Sequence, residues 1–267
     1  MSKALMCAAL VALTTSGVRA ADILPPAPSL DSFDLRGGFD ADAGVYLRVD
    51  GGLGLTRAHG PLSTFDVAVP GFAYDAAHVG HTSLLGLGAG YQFSEYMRAD
   101  VTAEYRASAS YAARASYPDA MNCGASPCSD TYAGAFRSAV LMANGYGEIG
   151  SWFDVTPFVG LGLGLARTSS APVSISAGNG HGEGQSPGAS RVRLAFALMT
   201  GASFDLTPQI KIEASYRYMS LGSGQSGAIA CPVAAGACTG QVQQIGLASH
   251  DLRIGLRYAL GDALARD

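Results

Sequence analysis

Lysine is nearly missing from this chain. Only Lys3 and Lys211 occur among 17 cationic residues, and the rest are arginine. Charged residues make up 14% of the 267 positions, near half the share of an ordinary soluble domain. Such a composition excludes a disordered polyampholyte and argues against a charge-coated soluble surface. A net charge of −4 offers nothing to nucleic acid, which is excluded as a partner. No internal stretch reaches the ~20 apolar residues of a membrane-spanning helix. What abounds instead is glycine, 35 residues, about twice the usual share.

The chain reads as four stretches. Residues 1–20 have the form of a secretory signal peptide: Lys3 supplies the positive start, Ala4 to Leu13 the apolar run, and Val18-Arg19-Ala20 the cleavage site. Residues 21–43 are a Pro- and Asp-rich linker holding Pro25, Pro26 and Pro28. Residues 44–260 alternate with a period of two, and 261–267 form a short tail. Four cysteines follow the leader, Cys123 with Cys128 and Cys231 with Cys238. Export makes disulfides the expectation. Three pairings are open, and the two local ones close the shortest loops. Zinc is disfavoured, since neither spacing is CxxC and no His adjoins either pair.

The alternation is clearest from Met97 to Tyr111. One parity is wholly apolar (Met97, Ala99, Val101, Ala103, Tyr105, Ala107, Ala109, Tyr111) and the other wholly polar. Seven more segments follow suit: Val45 to Thr56, His81 to Phe93, Arg137 to Ile149, Thr156 to Thr168, Arg191 to Phe204, Ile210 to Leu221 and Ser249 to Leu260. Strands of soluble proteins usually run ~5–6 residues, so these are long. Their connections alternate between tight turns and stretches of about two dozen residues, with no proline inside a strand. The fold predicted is all-β, an eight-stranded antiparallel up-and-down transmembrane β-barrel. In lipid every backbone polar group must be paired internally, so the sheet closes; the apolar parity faces hydrocarbon and the polar parity the lumen. A secreted β-sandwich fails on strand length, loop alternation and lysine scarcity. Aromatic belts are expected from Phe93, Tyr96, Trp152, Phe153, Phe158, Phe204 and Tyr258 at the tight-turn end, and from Tyr111, Phe136 and Tyr218 at the long-loop end.

The last strand carries Arg253, Gly255, Tyr258 and Leu260, spaced as polar-x-Gly-x-x-aromatic-x-hydrophobic. This resembles the signal that outer-membrane barrels present to the barrel-assembly machinery. Together with the leader, the Pro25-Pro26-Ala27-Pro28 start and eight strands, the chain is similar to the small outer-membrane β-barrel proteins of alphaproteobacteria, the opacity-protein and OmpA-like group often labelled a porin family. The resemblance implies a cell-surface structural or adhesive protein in the outer membrane of a Gram-negative cell. A few such proteins are reported to bind haem, and no catalytic residue carries over.

An eight-stranded lumen is just wide enough to be filled by side chains. Arg48, Asp50, Arg98, Asp100, Glu104, Arg106, Glu148, Lys211, Glu213, Arg217, Arg253 and Arg257 take inward positions. Unpaired buried charge is very costly, so they should pair into a plug, with contacts such as Asp50 to Arg253 or Arg257 and Glu213 to Arg257. A narrow ion path is the competing reading. Both termini should be periplasmic, because the strand number is even. The four long loops, rich in Ala, Gly and Ser, would be extracellular and either flexible or disulfide-restrained. Partners expected are outer-membrane lipid and, for the loops, a host or other surface ligand.

No cofactor or metal is predicted. His78 and His81 are the best loop candidates for a metal or haem iron, but no Cys, Asp or Glu cluster completes a site. No enzyme is predicted either. Ser249-His250-Asp251 suggests a lipid hydrolase, but neighbours on a strand face opposite ways, so the three cannot converge.

Overall fold

A computed structural model describes residues 44–63, 71–178, 182–228, 230 and 242–260. The expected leader, linker and tail, and Cys231 and Cys238, lie outside the described residues.

Eleven strands form one antiparallel sheet: β1 (Gly44–Ser63), β2 (Ala73–Val79), β3 (His81–Ser94), β4 (Met97–Tyr117), β5 (Cys128–Glu148), β6 (Val155–Ser170), β7 (Val173–Ala177), β8 (Gly182–Ser186), β9 (Ser190–Asp205), β10 (Ile210–Gln225) and β11 (Gln243–Ala259). Eight of them pair in a ring, β1-β3-β4-β5-β6-β9-β10-β11, and β11 returns to β1 through Leu47↔Tyr258 and Leu53↔Leu252. The eight-stranded barrel fold is therefore present, and the tight turns fall after Ser94, Glu148 and Asp205.

The large apolar residues point outward. Leu163 is 71% exposed, Leu194 80% and Ile254 69%, whereas Arg98 is 1% exposed and Asp251 not at all. This is the reverse of a soluble core and suits a hydrocarbon surround. On β6 the outward run Val155 to Leu165 covers eleven residues, which at ~3.3 Å rise and ~40° tilt spans about 25 Å, the height of an apolar membrane band.

The long loops depart from expectation. Instead of wholly irregular stretches, the strands continue past the apolar band. β2 lies end to end with β3 on the flank of β4, interrupted at Gly80, where a side-chain carbon would stand 2.7 Å from Ser110 Oγ. β7 continues β6 along β5 after the break at Pro172, and β8 pairs with β7 before Pro187. The join between β4 and β5 is only residues 118–127. It holds one four-residue helical turn, α1 (Ala120–Cys123), whose first turn Asp119 caps by accepting from Asn122 N at 3.3 Å.

In this upper storey the faces invert. β4 slips register between Arg106 and Ala109, a bulge that turns Ala109, Tyr111, Ala113, Ala115 and Tyr117 inward. Of these, Tyr111, Ala113 and Ala115 join Tyr132, Phe136, Val173, Ile175, Leu221 and Leu247 in an apolar core above the charged lumen. The logic is that of a water-soluble sheet, because this part stands clear of the lipid band. Tyr111 and Phe136 are thus interior residues rather than members of an outer aromatic belt, and so is Phe158, at 2% exposure. Phe93, Tyr96, Phe204 and Tyr258 do face outward near the tight turns.

Candidate functional site

The lumen at membrane level is occupied by guanidinium and carboxylate groups. Six arginines (Arg48, Arg98, Arg106, Arg217, Arg253, Arg257) oppose six carboxylates (Asp50, Asp100, Glu104, Glu148, Glu213, Asp251), all buried. The numbers of opposite charges are equal, as a low-dielectric interior requires.

Nearest the tight turns, Arg98 Nε donates to Glu148 Oε1 at 2.7 Å, while its Nη2 lies 3.2 Å from Glu213. Its guanidinium carbon is 3.8 Å from the centre of the Tyr146 ring and 4.9 Å from that of Phe158, a cation held between aromatic faces. Arg257 reaches Glu213 at 3.2 Å and Glu148 at 3.4 Å. In the middle, Arg48 grips Asp50 at 2.7 Å and Asp100 at 2.8 Å, and Asn144 Nδ2 donates to Asp100 at 2.7 Å. Arg253 lies 3.1 Å from Asp50 and 3.5 Å from Glu104; its Nε has no hydrogen-bond partner among the described residues. Uppermost, Arg217 reaches Glu104 and Asp251, each at 2.7 Å, and Arg106 reaches Asp251 at 2.8 Å and Glu104 at 3.0 Å. Ser249 donates to Asp251 at 2.6 Å.

Glycine makes room for these side chains. A Cβ at Gly88 would stand 3.0 Å from Arg48 Cγ, and one at Gly160 would stand 2.6 Å from Tyr146 Cδ1. Rows of glycine on β3 and β6 thus lie beneath the long side chains of β1 and β5. Gly255 does the same for Asp50, whose Oδ1 occupies the space a side chain there would need.

Two residues differ from the sequence reading. Lys211 shares the inward parity but sits at the tight-turn mouth, about a third exposed, and pairs with Asp205 at 2.8 Å. Asp251 replaces it in the network. Its signal was its place on the polar parity of the last strand, two residues before Arg253.

The other candidates are dispersed. His78 and His81 are both exposed, on β2 and β3, and no group of three His, Cys, Asp or Glu among the described residues could hold a metal. Ser249 and Asp251 face the lumen, whereas His250 faces outward and shares a 2.6 Å hydrogen bond with Tyr216 OH. Cys123 and Cys128 are joined as a disulfide beside α1, with Cα atoms 5.5 Å apart. In the terminal pattern, Arg253 and Gly255 face inward and Tyr258 outward; Leu260 follows the end of β11 and donates its N–H to Val45 O at 2.8 Å. An open apolar depression of about 880 Å³ lies on the outer face near Leu53, Ala214, Tyr216 and Ile254, away from most of the charges.

The outer membrane protein beta-barrel domain family matches residues 8–259. The chain belongs to this family. Membership places it in an outer membrane. An uncharacterised protein of Brucella abortus is 28% identical over 276 aligned residues, covering 92% of this chain and 93% of that one. Among solved barrels, Neisserial surface protein A is 16% identical, covers 81% of this chain and 98% of its own, and superposes with a TM-score of 0.46. The outer membrane protein OprG of Pseudomonas aeruginosa is 13% identical at the same TM-score, covering 81% and 96%.

Proposed function

We propose that this barrel is a sealed scaffold that displays its long-loop storey at the cell surface, with both termini in the periplasm. The observation that carries this reading is the double closure of the lumen. Charges packed against Met142, Tyr146, Phe158 and Met199 fill the membrane level, and an apolar core fills the level above. Between them, a cavity of about 20 Å³ bordered by Thr56, Thr82, Arg106, Phe136 and Leu247 has room for one water molecule. A conducting path needs a continuous wet column; the buried ion pairs that cross the lumen support a closed one. Function then resides in what the upper storey presents outward, a structural or surface-interaction role.

The test has two parts. Planar-bilayer recording of the purified protein should give no steady open conductance; a stable open state would overturn the sealed lumen. Protease applied to intact cells should cut within residues 118–127 and spare both termini. Cleavage only after the outer membrane is broken would overturn the orientation.

A further inference from the structure

The two rims of the barrel carry opposite charge. On the tight-turn side, Glu95 and Asp154 are exposed, while the half-buried Asp205 is paired with Lys211. On the long-loop side, Arg137 (β5), Arg167 (β6), and Arg191 and Arg193 (β9) are all exposed, on three adjacent strands. None of these four has a carboxylate within 4.0 Å among the described residues. The exposed carboxylates of that end, Asp75 and Glu183, lie on β2 and β8 of the upper storey.

The position of the arginines is set by the apolar band. On β6 the outward side chains run Val155, Pro157, Val159, Leu161, Leu163, Leu165, and the next is Arg167. On β5 they run from Ile149 through Leu141 and Ala139, and the next is Arg137. Both therefore stand one step beyond the hydrocarbon, at headgroup level. Across the β5–β6 ladder Arg137 faces Ser169 and Arg167 faces Ala139, so the two are diagonal neighbours ~7–8 Å apart at the backbone. On the other side of β6, Arg167 faces the exposed Val192, whereas Arg191 and Arg193 pair with the buried Thr168 and Ala166 and so take the inner parity of the ladder. Arg167 is also held in place: its Nε donates to Ser190 Oγ at 3.0 Å, and Ser169 donates to the same oxygen at 3.1 Å. That leaves its two terminal nitrogens for an external pair of oxygens. Arginine's planar fork suits a phosphate better than a lysine's point charge does.

We propose that Arg137 and Arg167 form a binding site for the phosphorylated headgroup of an outer-leaflet lipid. The lipid's acyl chains would lie along Leu163, Leu165 and Leu194 below. The proposal rests on the reading that the long-loop rim faces the outer leaflet.

The test uses the full chain, purified in neutral detergent, with a doubly phosphorylated glucosamine-disaccharide lipid and its dephosphorylated form as probes. Native mass spectrometry reads the lipid retained. The wild type should prefer the phosphorylated form by about tenfold, less at high salt, as expected for exposed charge-assisted contacts. Arg137→Gln/Arg167→Gln should abolish the preference, while Arg114→Gln, higher on β4, should keep it. Equal retention of both lipids by the wild type, or an unchanged preference in the double variant, would overturn the site. Folding of each variant is checked by heat-dependent gel mobility. If the Gln pair does not fold, Arg137→Lys/Arg167→Lys takes its place, keeping charge without the fork; it should weaken the preference, and an undiminished one counts against the site. Protease results on intact cells are independent of this binding. Loops cut from outside with no phosphate preference defeat the site alone, and loops protected from outside defeat the orientation instead.

Discussion

Arg217 on β10 meets Glu104 on β4 across the full width of the lumen, its Nη2 2.7 Å from each carboxylate oxygen. The two strands occupy opposite positions in the eight-membered ring, so this pair ties the barrel wall to wall. Removing one partner leaves a buried charge uncompensated, at a cost of about 3–5 kcal/mol. Glu104→Gln and Arg217→Met should each lower the urea midpoint of the protein in detergent. The double variant should lose clearly less than the sum of the two. Additive losses would mean that the contact carries no coupling.

The Gly160 site gives a prediction about packing. A side chain there meets Tyr146 at 2.6 Å, and Tyr146 in turn stacks on Arg98. Gly160→Val should destabilise the barrel by about 1–3 kcal/mol through overpacking. Gly145, with nothing near its would-be Cβ, provides the control. Gly145→Val should leave the unfolding midpoint within about 0.5 kcal/mol of wild type.

Asp130 lies in the upper storey, where it accepts from Gly178 N at 3.0 Å and from Tyr117 OH at 3.2 Å. Burial raises its carboxyl above the usual range, and the two hydrogen bonds only partly offset that. A raised folded-state value means the folded form favours the proton. The stabilisation is fully present below the ordinary carboxyl range, ~3.9, and is lost as pH rises through the raised value. Protection of the Gly178 amide from hydrogen exchange, corrected for intrinsic rates, should therefore fall as pH climbs through that window. Asp130→Asn keeps the acceptor and should flatten the profile; an unchanged profile would assign the effect to another group.

The Cys123–Cys128 link closes a loop of a few residues outside the membrane band. Reducing it should speed proteolysis between residues 118 and 127 several-fold, while heat-dependent gel mobility of the barrel stays the same. A shift in that mobility would mean the link supports the ring itself.

The barrel strands were legible because lipid on one side and paired charge on the other enforce a strict period of two, as in Leu161-Gly162-Leu163-Gly164. The β4 bulge was not. Ala107, Ser108, Ala109 and Ser110 are small and tolerate either face, so the sequence there carries no mark of a slip. The same neutrality hid β2, β7 and β8, whose Ala, Gly and Ser residues read as loop until Val173 and Ile175 are seen covering the core. Lys211 could not be told from its neighbour Glu213 by parity alone. What separates them is depth, since Lys211 is the second residue of β10 and sits at its mouth.

The twelve lumen charges are shared unevenly along the chain. The strands before β6 bring three arginines and four carboxylates, and those after it bring three arginines and two carboxylates. Neither half is neutral by itself; the first is left with an excess negative charge and the second with an excess positive one. A growing half-barrel therefore carries a charge it cannot cancel, and the closing hairpin arrives with the opposite sign. Pairs across the seam, such as Arg253 with Asp50, form only when β1 meets β11, so electrostatic attraction between the two halves favours circularisation over an open, partly inserted sheet.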